Sequence, residues 1–411
     1  MRRVAITGLG TINSIAKNIN EFETSLREMK IGIDNITQFD TEDHKVTIAA
    51  EIKNFDPKDY MDRKKARRYD RVLQLAMIAA EEAIKNSGLN DENDEWRENA
   101  AVIIASGIGG FKTLYNEFNN MNKKGPKFVS PFLIPMMIAD MPSGVVSIEN
   151  NLKGPNFSTM SACASSVHAL ITSAMLIKHG YVDIAVAGGT EACIDPIPIA
   201  AFANMTALSQ RNEDPKTASR PFDLNRDGFV MGEGSGVLIL EEEEHALKRG
   251  AKIYGYLEGF GMTGDAYHIS KSDPEGKGAA KAVQLALNMA NIKSEDIDLI
   301  NCHATSTPVG DKSEKIALES VFKENISKPY IQSTKTLIGH SLGAAGAIEL
   351  IASIIQMEKG FIHGMPNLFE IDDDFKDLNI VKKTVEKETK IMLKNSFGFG
   401  GHNASIVYTK R

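Results

Sequence analysis

At 411 residues, with 42% hydrophobic and 25% charged residues, the chain has a folded protein's composition and exceeds one ordinary core. Forty-seven basic against 54 acidic residues leave a net charge of −7, which argues against a general nucleic-acid binder. Three scattered cysteines, Cys163, Cys193 and Cys302, make neither a disulfide framework nor a C-x-x-C zinc site. "MRRVAITGLG" enters a strand pattern directly, and no uncharged run reaches the ~20 residues of a membrane span, so a reducing, cytoplasmic setting with no membrane partner is expected.

Short β-branched runs alternate with longer Ala/Leu/Ile-rich segments, the pattern of an α/β protein. Residues 4–8 read as a strand, 70–85 as a helix and 100–106 as a buried strand ending in the loop 107–110. Residues 164–179 read as a helix closed by Gly180, 183–189 as the next strand, and 241–250 as a solvated helix. After residue 254 the order returns: helix 279–290, strands 298–303 and 330–334, helix 343–356, and strand 391–396 running into "FGFGG". "STMSACASSVHALITSAMLI" and "STKTLIGHSLGAAGAIELIASII" both pass from strand through a polar turn and small residues into a helix. This predicts two related halves, 1–253 and 254–411, packed as one body.

In α/β folds reactive groups collect where strands end and helices begin. Cys163, among Ala162, Ala164 and Ser165, stands at such a place. A helix N-terminus there stabilises a thiolate and lowers its pKa, while a buried inert cysteine is the plainer alternative. Cys193 and Cys302 read as packing. A nucleophile needs partners. His303 ends a strand in "NCHATSTPVGD", and His340 lies at the start of the helix that repeats the one Cys163 begins, so both are expected at one pocket. Lys335 and Glu349 bracket His340 as a partly buried pair that orients it, or as a surface pair. In "NSFGFGGHNAS", Gly398, Gly400 and Gly401 bring N–H groups near a ligand, and one with that of Cys163 makes an oxyanion hole. Phe399 between them is a candidate gate, and a simple tight turn is the alternative.

Two motifs point elsewhere. "GLGTIN" at 8–13 lacks the third glycine of a dinucleotide loop. "GHSLG" at 339–343 fits the elbow of serine hydrolases, with Ser341 as nucleophile and Asp372 and His402 following in order. That reading leaves Cys163, His303 and the repeat unexplained.

Together "ACASS", "HATSTPVGD", "STKTLIGHSLGAAGAIE" and "NSFGFGG" resemble the β-ketoacyl-acyl carrier protein synthases, and "SRPFDLNRDGFVMGEGSG" with the spacing resembles their type II. The resemblance spans essentially the whole chain. It implies a thiolase-like αβαβα sandwich, usually a homodimer. It implies that Cys163 carries the acyl chain as a thioester, and that His303 and His340, as neutral donors, steady the enolate of decarboxylating malonyl-carrier protein. The N–H groups of Cys163 and Phe399 would hold the oxyanion, and Lys335 and Glu349 would tune the histidines. Thr305 and Thr307 would line the pantetheine tunnel, and Ile108, Phe202, Phe397 and Gly400 would border the substrate. No metal or organic cofactor is implied. The basic run "DRKKARRYDR" is a solvated face by default; in the family this segment docks acyl carrier protein, which makes Arg67, Arg68 and Lys127 candidates. Thr206, Leu133 and His402 depart from the family pattern, at the docking surface, the acyl pocket and the gate loop. A catalytically silent partner subunit would lack the nucleophile kept here.

Overall fold

Ten strands form one continuous sheet in the structure, a computed structural model that describes residues 2–89 and 94–411. In chain order they are β1 (Val4–Asn13), β2 (Ala101–Ala105), β3 (Ile184–Glu191), β4 (Gly234–Glu242), β5 (Gly255–Gly264), β6 (Leu299–Asn301), β7 (Tyr330–Gln332), β8 (Asn379–Ile380), β9 (Ile391–Gly398) and β10 (His402–Lys410). Their spatial order is β8-β7-β6-β9-β10-β5-β1-β4-β3-β2.

The path is traced twice. β2 runs parallel to β3, β3 antiparallel to β4, and β4 antiparallel to β1. In the second half β6 runs parallel to β9, β9 antiparallel to β10, and β10 antiparallel to β5. Even β7 has a counterpart, because Asn156 bridges Val102 of β2 in parallel as β7 pairs with β6. The halves join at Ala5↔Tyr256 and Ile6↔Gly255.

Helices complete five layers. The six longest, in chain order, are α1 (Arg71–Asn86), α2 (Phe111–Lys124), α3 (Ser165–Lys178), α4 (Lys277–Ala290), α5 (Pro308–Phe322) and α6 (Ala345–Lys359). α3 and α6 pack together between the half-sheets. Residues 345–357 are all buried, the polar Glu349, Ser353 and Gln356 among them. α1 covers the outer face of the first half, and α4 and α5 that of the second. Asp70 caps α1 by accepting the N–H of Val72.

Some sequence expectations change. "GLGTIN" is no loop: it lies within β1, where a Cβ on Gly10 would stand 2.0 Å from the Ala79 carbonyl oxygen of α1. These glycines serve close helix packing. Residues 241–242 end β4, and the short helix is Glu243–Lys248. Glu241 is fully buried, accepting hydrogen bonds from Arg249 at 2.7 Å and Thr7 at 2.7 Å.

Candidate active site

Ala162–Ala164 form a 3₁₀ turn that leads into α3, and Leu342–Ala344 form its counterpart before α6. Ala162 and Leu342 share left-handed φ values of 51° and 40°, so the two turns superimpose in role. This phase makes Gly343 the equivalent of Cys163, and Met160 the equivalent of His340. The expectation that Cys163 and His340 occupy corresponding positions is therefore three residues out. They converge all the same: Nε2 of His340 lies 3.0 Å from Sγ of Cys163. Ligating atoms of Cys163, His303 and His340 all lie within 4.8 Å of one another, and the two imidazole rings meet edge to face at 5.3 Å.

Burial dominates the electrostatics. It pushes the Cys163 thiol up to about 12, against the pull of Lys335 and of the N–H groups of Phe399 and Cys163 itself; Glu191 adds to the rise. The lowered thiol pKa expected from the helix N-terminus is thus reversed in the closed site. Burial first, then the positive charges of Lys335 and Lys394, hold His303 and His340 well below the usual histidine range, and for His303 the neighbouring His340 adds to this. Both imidazoles are neutral near pH 7. Lys335 Nζ lies 2.5 Å from Glu349 Oε1, and the pair is wholly buried. Removing Glu349 would strand a buried positive charge at a cost of about 3–5 kcal/mol.

These atoms face a cavity of about 570 Å³. Thr305, Thr307, Ile108, Phe202, Phe397 and Phe399 line it, as does Thr206. Gly400 does not line it; its N–H is donated to the Ile269 carbonyl at 2.8 Å, and a Cβ there would stand 3.0 Å from the His402 ring. Leu133 also lies outside the lining. Gly398 approaches the nucleophile's backbone closely: a Cβ there would stand 3.0 Å from the Cys163 nitrogen. Phe399 packs tilted against Phe202 at 6.2 Å. Arg67, Arg68 and Lys127 are exposed; Arg68 stacks over Phe132 at 4.1 Å, and none of the three lines the cavity.

Sequence reasoning missed four contributors. Phe229 packs edge-on to His340 at 5.4 Å. Glu314 accepts the backbone N–H of His303 at 2.9 Å and of Ala304 at 2.8 Å, fixing that loop. Glu191, raised to about 7 by burial, accepts the N–H of Gly107 at 2.8 Å and of Gly343 at 3.0 Å, tying the two halves together beside the thiol. Lys394 is a buried second cation on Glu349, 2.8 Å from Oε2. The serine-hydrolase arrangement does not form. Ser341 is fully buried, its Oγ has no hydrogen-bond partner among the described residues, and Asp372 is held by Arg226 at 2.7 Å.

Residues 1–246 match the family model of the β-ketoacyl synthase N-terminal domain, and residues 254–369 that of its C-terminal domain. The chain belongs to the β-ketoacyl synthase family. A 3-oxoacyl-[acyl-carrier-protein] synthase 2 of Synechocystis sp. is 43% identical over 412 residues, covering 100% of this chain and 98% of the relative. The crystal structure of a β-ketoacyl synthase from Burkholderia phymatum is 31% identical, with a TM-score of 0.92 over 100% of both chains. A type II polyketide ketosynthase solved with its acyl-carrier protein is 29% identical, with a TM-score of 0.91 over 100% of this chain and 99% of that one. This synthase is thus a thiolase-like condensing enzyme of the acyltransferase class. Among its described residues, no helix is long and apolar enough to cross a membrane.

Proposed function

We propose that this synthase lengthens acyl chains by two carbons, condensing an acyl group on Cys163 with malonyl-acyl carrier protein in fatty-acid elongation. The observation that carries this reading is the convergence of one thiol and two neutral imidazoles within 4.8 Å on one cavity. In loading, Sγ attacks the acyl thioester of the carrier protein. The new C–S bond replaces the old one, and the thiol proton passes to the departing carrier sulfur. The N–H groups of Cys163 and Phe399 hold the oxyanion between these events. In condensation, the malonyl C–CO₂ bond breaks and its electron pair enters the thioester as an enolate. Neutral His303 and His340 donate hydrogen bonds to the enolate oxygen. The carbanion then attacks the acyl carbonyl, a C–C bond forms, and Sγ leaves as a thiolate that takes up one proton from solvent. Lys335 and Glu349 orient the histidines from behind. No metal or organic cofactor enters this scheme.

Residues 1–253 would supply the thiol and residues 254–411 the histidines. Arg67, Arg68 and Lys127 form the proposed contact for the acidic carrier. A homodimer completes the reading. It is supported by an apolar surface that one chain leaves bare: α2 buries no residue, and Phe118, Phe128 and Ile134 are 55%, 52% and 57% exposed. The silent-subunit alternative is disfavoured by the retained Cys163 beside both histidines.

Intact-mass analysis with a ladder of acyl-carrier substrates tests the proposal. The wild type should gain one acyl mass and Cys163→Ala none. An alanine variant that still acylates would defeat it.

A further inference from the structure

The Lys335–Glu349 pair is already neutral, yet the site buries a third charge. Lys394 lies on β9, wholly inaccessible, with Nζ 2.8 Å from Glu349 Oε2, while Lys335 holds Oε1. Its ammonium also donates to the Asn395 carbonyl. The Asn395 side chain donates to Glu314 at 3.0 Å, and Glu314 accepts the backbone N–H of His303. Lys394 therefore joins the Lys335–Glu349 pair to the Asn395–Glu314 pair that holds the backbone of His303. An ammonium with no solvent is costly to bury. Stability alone would favour an apolar residue here, so a buried ammonium placed between Glu349 and the Asn395–Glu314 pair points to a task.

We propose that Lys394 is a positioning residue for the condensation: it clamps the free oxygen of Glu349, holds through Asn395 and Glu314 the loop of His303, and places a positive charge beside both imidazoles. This rests on the function proposed above. The charged and titratable groups around it are Glu349 on α6, Lys335, Glu314 on α5 and the Cys302 thiol. Those around the histidines are Lys335, Lys394, each other and Cys163. Both histidines feel Lys394 in the same direction, toward the neutral form.

Removing the charge makes imidazolium easier to form, so the acid limb of malonyl decarboxylation should move to higher pH. The experiment compares wild type, Lys394→Met and Lys394→Ala. It follows CO₂ release from malonyl-carrier protein from about pH 4 to 8, and acyl loading of Cys163 by mass. Lys394→Met should load at close to the wild-type rate while its acid limb rises by about one pH unit. Lys394→Ala leaves an oxygen-lined hole, and ammonium chloride should restore its decarboxylation at least several-fold. A folded Lys394→Met with an unmoved acid limb would overturn the proposal. So would a Lys394→Ala indifferent to ammonium, or failure of both variants to fold, which would make Lys394 a packing element. A wild type that neither loads nor decarboxylates would instead defeat the proposed function.

Discussion

His340 Nε2 lies 3.0 Å from Cys163 Sγ, across 177 residues of chain, and the thiol it touches is held protonated by burial at a pKa of about 12. The helix N-terminus, two backbone N–H groups and Lys335 favour the thiolate, but desolvation outweighs them. Reactivity toward a small alkylating agent should therefore climb with pH, because only the thiolate attacks. Iodoacetamide labelling of Cys163, followed by peptide mass, should rise about tenfold per pH unit with no plateau below about pH 9. A plateau by pH 7 would mean that the resting thiol is ionised.

Gly398 has no room for a side chain. A Cβ there would stand 2.8 Å from the Ser161 carbonyl oxygen and 3.0 Å from the Cys163 nitrogen. Gly398→Ala should shift the N–H groups aimed at the oxyanion, and misplacing one such donor costs about 10²–10³ in rate. Acyl loading timed by intact mass should fall by about that factor, with the melting temperature lowered as the backbone gives way. Loading within threefold of the wild type would remove these N–H groups from the chemistry.

The sequence signals for Cys163 and the histidines were local ones: small residues at a strand-to-helix turn, and a strand end rich in polar residues. The phase of the repeat was not local. It depends on the left-handed φ shared by Ala162 and Leu342, which no residue pattern reveals, since both are side chains that avoid that conformation. β5 was hidden for a related reason. Its glycines lower strand propensity, but Gly259 and Gly261 are required because a Cβ would stand 2.2 Å and 2.0 Å from carbonyl oxygens of α4. Lys394 was invisible because a lysine in "IMLKNS" reads as outward-facing. Only the fold brings Glu349 to meet it.

The thiol and imidazole atoms that lie within 4.8 Å of one another also form a donor set for a soft metal. A zinc ion bound there would displace the thiol proton and occupy the sulfur that must carry the acyl group. Zinc should inhibit acyl loading, more strongly at higher pH because binding releases protons. A chelator should restore full activity. In the same assay, chelator alone should leave the wild type unchanged. Activity lost to chelation would show that a metal belongs to the working enzyme.

Arg67 and Arg68 close a short basic helix, Arg63–Arg68, whose arginines at these two positions are exposed, and Lys127 lies exposed beyond α2. Arg68 is also fixed over the Phe132 ring, which holds its charge at a defined place on the surface. An acidic carrier protein would be drawn to this face, whereas a short pantetheine thioester would not depend on it. Arg67→Glu with Arg68→Glu should raise KM for acyl-carrier protein about tenfold at low salt and leave kcat nearly unchanged. The difference should shrink as salt screens the surface, and rates with the pantetheine thioester should match the wild type. Lys127→Glu should act in the same direction. Equal losses on both substrates would place the defect in the active site rather than at a docking surface.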